Sequence, residues 1–153
     1  MITAETAELV ESPCSLIVGT VDAAGLPDAS RAWGAEVIDD DHVRLLLSTQ
    51  AEVTRRNVEQ GGRIAVTATH FFTFESVQLK GVATRIEEAT PADRIRFDRY
   101  CAEAAAAIAE TDGTPIERVL RFMTAGVYAC TMIVEAVFDQ TPGRSAGTQL
   151  APS

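Results

Sequence analysis

The alternation of apolar and polar positions along this chain is strand-like at first, helical in the middle and strand-like again. Cys14-Ser-Leu-Ile-Val-Gly-Thr-Val-Asp22 is a β-branched run, and Ala23-Ala-Gly25 is a short hairpin loop that carries its own glycine. The segment from Asp28 to Ile38 is expected to return antiparallel, Asp39-Asp-Asp41 is a polar turn, and Val43 to Thr49 is a third, strongly apolar strand. Thr49-x-x-Glu52 matches a capping box and Thr54 is a second hydroxyl able to cap, so a short helix is predicted over about 52–60, stopped by Gly61-Gly62. Arg63 to Phe72 and Ser76 to Glu87 read as the fourth and fifth strands, with Gly81 interrupting the alternation and marking a bulge. Thr90-Pro-Ala-Asp93 combines a hydroxyl cap, a proline in the first turn and an acid at the positive end of the dipole, and starts a helix that runs through an Ala-rich middle to about Glu110. Thr114-Pro-Ile-Glu117 repeats that start for a shorter helix ending near Met123, Val127 to Phe138 is a last long strand, and 141–147 is loop-like.

Five strands joined by short turns, two helices and a closing strand predict a mainly β fold: an antiparallel barrel with helices over one opening. Closure removes the exposed edges that invite aggregation. At 153 residues the chain is the size of one domain, with a core at about 12–140 and a tail at 141–153, and it can bury enough surface to stand without a disulfide or metal. No run approaches the ~20 apolar residues of a membrane span, and the first residues lack the positive-then-apolar order of a secretory signal, so a cytoplasmic protein is the simplest reading.

Charge narrows the function. With 13 basic against 22 acidic residues, long-range attraction to nucleic acid or to an anionic membrane is disfavoured, so an anionic ligand needs a local pocket. Cys14, Cys101 and Cys130 are scattered, which argues against a disulfide framework or a zinc cluster and for buried small hydrophobes. His42 and His70 are the only histidines, and neither sits in a metal-ligand motif. There is no G-x-S-x-G, no G-x-G-x-x-G and no Walker loop, and no spacing singles out a general acid or base.

What remains is Leu47-Ser-Thr-x4-Thr-Arg-Arg-Asn57. Ser48 and Thr49 end the third strand, and Thr54, Arg55 and Arg56 follow near the first turn of a helix, where free N–H groups and the dipole favour an anion and arginine adds a fork of donors matched to phosphate. The other reading is a solvated helix face with Glu52 and Glu59 as partners. Arg31 and Trp33, two apart on a strand, share a face and suit a planar polar ligand, or else form a capping tryptophan beside a snorkelling arginine. Phe71, Phe72 and Phe74 fit core or interface better than a ligand wall.

Together with Ser30-Arg-Ala-Trp33, Glu75-Ser-Val-Gln-Leu-Lys-Gly81-x3-Arg85 and Val137-Phe-Asp-Gln-Thr-Pro-Gly143, this stretch makes the chain, from about Leu16 to Gln140, resemble the pyridoxamine-phosphate-oxidase-like, FMN-binding split-barrel family. The resemblance implies a six-stranded antiparallel Greek-key split β-barrel with short helices, working as a homodimer with FMN in clefts between subunits. By position it implies that Arg31 and the backbone through Ala32 and Trp33 line the flavin, that Ser48, Thr49, Thr54, Arg55 and Arg56 hold its phosphate, and that Ser76 faces it from the fifth strand. It points to an oxidoreductase acting on a small molecule, with a reduced nicotinamide as one electron donor. The alternatives are a flavin-storing or sensing dimer, or a relative that uses a deazaflavin or haem. True pyridoxamine-phosphate oxidases carry a substrate lysine where this chain has Glu36, and end in a segment bearing Trp and Arg, whereas 144–153 has no Trp and one Arg. Vitamin oxidation is therefore not expected.

Overall fold

The structure, a computed structural model, describes residues 2–123 and 126–151. Among them the chain runs α1 (Ala4–Glu11), β1 (Cys14–Val21), β2 (Pro27–Val37), β3 (His42–Ser48), α2 (Glu52–Glu59), β4 (Arg63–His70), β5 (Ser76–Glu88), α3 (Pro91–Asp112), α4 (Ile116–Leu120), β6 (Val127–Asp139) and β7 (Gln149–Ala151). The antiparallel sheet has the order β3-β2-β1-β4-β5-β6-β7, and β3 also pairs with β6, which closes a six-stranded barrel. The expected strands are present to within two residues at each end. Two elements were not foreseen. One is α1, with Thr3 as its N-cap, and the other is β7, a short strand in the tail that pairs with the second half of β6.

Alternation builds the core. Cys14, Leu16, Val18 and Thr20 of β1 face inward and are buried, and Ile64, Val66 and Ala68 of β4 and Val77 and Leu79 of β5 do the same. The expected pair of helices over one opening is replaced by a plug at each end. At one mouth α1 inserts Leu9 and Val10 against the ends of β1, β2, β4 and β5. At the other, α2 turns Thr54, Asn57 and Val58 inward, and Asn57 Nδ2 donates to Thr20 Oγ1 (3.0 Å).

The long helix α3 lies outside the barrel. Leu45 and Leu47 point into the core, while Leu46, on the opposite face of β3, packs with Trp33, Ala89, Val127, Ala129 and Phe97 beneath α3. That cover explains why β3 is a continuous apolar run instead of an alternating one. The predicted start of α3 is present as a full capping box: Asp93 N–H donates to Thr90 Oγ1 and Thr90 N–H donates to Asp93 Oδ2 (2.8 Å). Arg44, on the outer face of β3, donates Nε and Nη2 to both oxygens of Asp93 (2.8 and 2.7 Å) and Nη1 to Glu87. The side chains of Arg44 and Asp93 are only 12% and 2% exposed, so this forked pair binds helix to barrel out of reach of salt screening.

Gly81 is the predicted bulge. The β5–β6 register shifts between Lys80 and Gly81, and a Cβ at Gly81 would stand 1.8 Å from the Ile133 carbonyl oxygen.

Two outcomes are expected. Gly81→Ala should destabilise the fold by at least ~3 kcal/mol, because the obstacle is backbone, and its urea midpoint should fall accordingly; an unshifted midpoint would contradict the close approach. The Arg44 hydrogen bonds hold the Asp93 carboxyl well below its ordinary value of 3.8. The stabilisation is therefore complete above pH ~5 and is lost as pH falls through and below 3.8. Asp93→Asn should cost ~3 kcal/mol at neutral pH and flatten the acid limb of the stability profile.

Candidate functional site

The corner between β3 and α2 is built by local hydrogen bonds. Thr49 sends both its N–H (3.0 Å) and its hydroxyl (3.2 Å) to the Gly126 carbonyl, which turns the chain off the sheet, and Ser48 Oγ accepts the Gln50 N–H (3.1 Å). Thr49 therefore does not cap the helix as its spacing predicted. The N-cap is Ala51, and no side chain caps it, so the first amides of α2 remain available to an anion.

The helix then divides the expected phosphate residues. Thr54 is fully buried; its hydroxyl donates to Asp28 Oδ2 (2.6 Å) and shares a second hydrogen bond with Ser30 Oγ (2.8 Å), which ties α2 to β2 and leaves it no free role. Arg55 and Arg56, one step apart on the helix, point in different directions. Arg55 Nε donates to Glu59 Oε1 (2.8 Å) and its guanidinium lies over the Tyr128 ring, 5.2 Å from the centroid. Arg56 is exposed and has no ion-pair partner among the described residues.

Arg55 and Thr49 border a cavity of about 750 Å³ between α2, the second half of β5 and the start of β6. Arg85 and Arg94 bring two further cations to it, and Glu59, Glu87 and Glu88 bring carboxylates. Arg85 pairs with Glu87 (2.8 Å), while Arg94 has no ion-pair partner among the described residues. Tyr128 also lines it, with its hydroxyl buried and without a hydrogen-bond partner among the described residues.

The remaining expected residues meet on the outer face of the sheet. Arg31 Nη1 donates to Ser15 Oγ (3.4 Å); Ser15 is paired across the ladder with Thr69, and Thr69 with Ser76, whose hydroxyl donates to Thr69 Oγ1 (2.9 Å). Ser76 Oγ also lies 2.9 Å from the Phe74 carbonyl, so its hydroxyl is engaged within its own hairpin. Trp33 is half-buried against both core clusters with Nε1 unpartnered among the described residues, and Ala32 is buried in the core. Beside this polar row Ala29, Gly19, Ala65 and Ala136 floor a groove of about 810 Å³, with Lys80 over the Phe138 ring at one side. Arg31 and Ser76 thus share a face with each other, and Thr49 and Arg55 share a cavity elsewhere.

Neither histidine borders either cavity. His70 Nδ1 accepts the N–H groups of Phe72 (3.4 Å) and Thr73 (3.2 Å), which places the proton of the neutral ring on Nε2 and leaves that nitrogen no lone pair for a metal. His42 Nδ1 lies between Asp39 (2.9 Å) and Asp41 (2.7 Å) on an exposed turn, and the Asp39 hydrogen bond raises its pKa. The three cysteines are free and buried as expected, and desolvation pushes their pKa values up to about 11, 11 and 12 for Cys14, Cys101 and Cys130. Glu36, which stands where an oxidase lysine would, pairs with Arg96 of α3 (2.7 Å).

Sequence reasoning missed Ser15 and Thr69, although as outward positions of alternating strands they were there to be found. Tyr128 and Arg94 carried no local signal, because only the β3–β6 and β5–β6 pairings bring them beside α2.

The sequence profile of the family described as pyridoxamine 5'-phosphate oxidase matches residues 2–131. No curated protein sequence matches the chain. Among solved structures, HupZ of Group A Streptococcus is 24% identical, with a TM-score of 0.59, over 96% of this chain and 100% of its own. A protein of Lactobacillus delbrueckii described as a putative pyridoxamine 5'-phosphate oxidase is 20% identical, with a TM-score of 0.56, over 89% and 92%. HutZ of Vibrio cholerae, described as a haem storage protein, is 19% identical, with a TM-score of 0.50, over 90% and 94%. At these identities the likenesses speak for the fold, which the closed barrel above shares. With 130 consecutive residues matched by its profile, this chain belongs to the pyridoxamine 5'-phosphate oxidase family.

Proposed function

We propose that the protein is an FMN-binding flavoprotein, an oxidoreductase that works as a homodimer and is not a pyridoxamine-phosphate oxidase. One observation carries the reading: in a chain of net charge −9, Thr49 and three arginines, Arg55, Arg85 and Arg94, gather around one cavity. That donor set suits a terminal phosphate, with arginine forks supplying charge-assisted hydrogen bonds beside the Thr49 hydroxyl. The row from Arg31 through Ser15 and Thr69 to Ser76, beside an apolar groove, suits a planar ring with a polar edge, and a second copy seated on that face would shelter it from water. When bound, the flavin supplies hydride or electron transfer at its ring, and the protein's part is orientation and hydrogen bonding. Glu36 supports the exclusion of vitamin oxidation, since it stands where an oxidase lysine would meet the substrate and is itself paired with Arg96. Haem has less in its favour, because both histidines are committed to turns away from the cavities.

Freshly purified protein is expected to show flavin absorbance bands, or to acquire them on titration with FMN, and to elute at twice its 16.4 kDa chain mass. Colourless protein that ignores added FMN would end the reading. Anaerobic addition of reduced nicotinamide should bleach the bands of a reductase and leave those of a storage protein unchanged. Because Arg55 borders the cavity and Arg56 does not, Arg55→Ala should raise the FMN dissociation constant about ten- to hundredfold and Arg56→Ala by less than threefold, as read by flavin fluorescence quenching.

A further inference from the structure

We propose that Tyr128 is the uncharged hydrogen-bond donor of the anion cavity, and that Arg55 is the roof that an arriving oxyanion lifts from it. The inference rests on the phosphate reading of this cavity and names a residue that reading did not contain. Tyr128 is 4% exposed, and its hydroxyl is sealed without a partner among the described residues. Native proteins rarely leave a buried hydroxyl unpaired, and such exceptions call for an absent partner. Tyr128 lines the cavity together with Arg55, whose guanidinium lies 5.2 Å from its ring centroid, and with Glu59. Burial pushes the phenol above its ordinary range, so at neutral pH it is a neutral donor that an oxyanion accepts from without charge repulsion.

Arg55 is held in a resting place. Its Nε is spent on Glu59 and its guanidinium lies across the Tyr128 ring, yet the side chain is half exposed and free to swing. A phosphate group outbids the Glu59 carboxylate for the guanidinium because it offers a second charge and further oxygens. Moving Arg55 toward such an anion uncovers the face of the Tyr128 ring, and the hydroxyl of that ring then donates to one of the anion's oxygens. Glu59 thereby keeps the arginine from being an uncompensated cation when the cavity holds no anion.

Tyr128→Phe isolates the hydroxyl, since the ring under Arg55 is kept. The full-length chain is titrated with FMN, with riboflavin and with inorganic phosphate, and the melting temperature is recorded with and without each. The variant is expected to melt at or above the wild-type temperature without ligand, to bind FMN about tenfold more weakly, to lose most of the phosphate-induced shift, and to bind riboflavin as wild type does. Glu59→Gln should tighten FMN and phosphate a few-fold by freeing Arg55. Undiminished affinity of Tyr128→Phe for phosphate overturns the proposal, as does a lowered melting temperature with unchanged affinity, which makes the hydroxyl structural. If wild type takes phosphate but not FMN, the flavin reading falls and the Tyr128 assignment stands or falls by phosphate alone. Wild type that takes neither overturns both.

Discussion

The pairing of β3 with β6 is the contact on which the rest of the molecule depends. It joins the ends of a sheet whose other ladders are mostly between chain neighbours, and it sets Ser48 against Val127 and Leu47 against Tyr128. Without it the barrel has no inside, α1 and α2 have no mouths to fill, and the strand that carries Ser48 and Thr49 ends far from the one that carries Tyr128. The entropy of closing a long loop is spent on this one ladder, and the cavity under α2 is a by-product of that closure.

Much of the fold was legible because local chemistry and global pattern agree. The capping box at Thr90, the glycine stop at Gly61 and the bulge at Gly81 are signals that short windows contain, and each stands where the pattern put it. What was illegible lies beyond any window. Thr49-x-x-Glu52 looks like a cap, yet the Gly126 carbonyl, 77 residues away, takes the hydroxyl instead. α1 has an ordinary capped start but no strong apolar stripe, and only its burial of Leu9 and Val10 in the mouth of the barrel reveals it. The short β7 is a strand by virtue of its neighbour.

The candidate site shows the same division. Residue types were readable, although Ser48, Thr49 and Thr54 all have structural hydrogen bonds at this strand-to-helix junction. Direction was not. Thr54 differs from Arg55 by one helical step, and that step sends one side chain to Asp28 in the barrel mouth and the other over Tyr128. Of the two readings of the arginines, the helix-face pairing is present at Arg55, which bonds Glu59 and also borders the cavity. Two of the arginines at this cavity are neutralised by nearby glutamates, Arg55 by Glu59 and Arg85 by Glu87, in exposed pairs of small energetic depth.

The buried thiols have a practical corollary. With their acidities displaced upward by burial, Cys14, Cys101 and Cys130 offer almost no thiolate at neutral pH and little or no exposed surface to a reagent. A chromogenic disulfide added to the native protein consequently reacts no faster than the molecule opens. Because Cys14 sits in the first strand, Cys101 in the outer helix and Cys130 in the closing strand, the order in which they label ranks the lability of three separate regions.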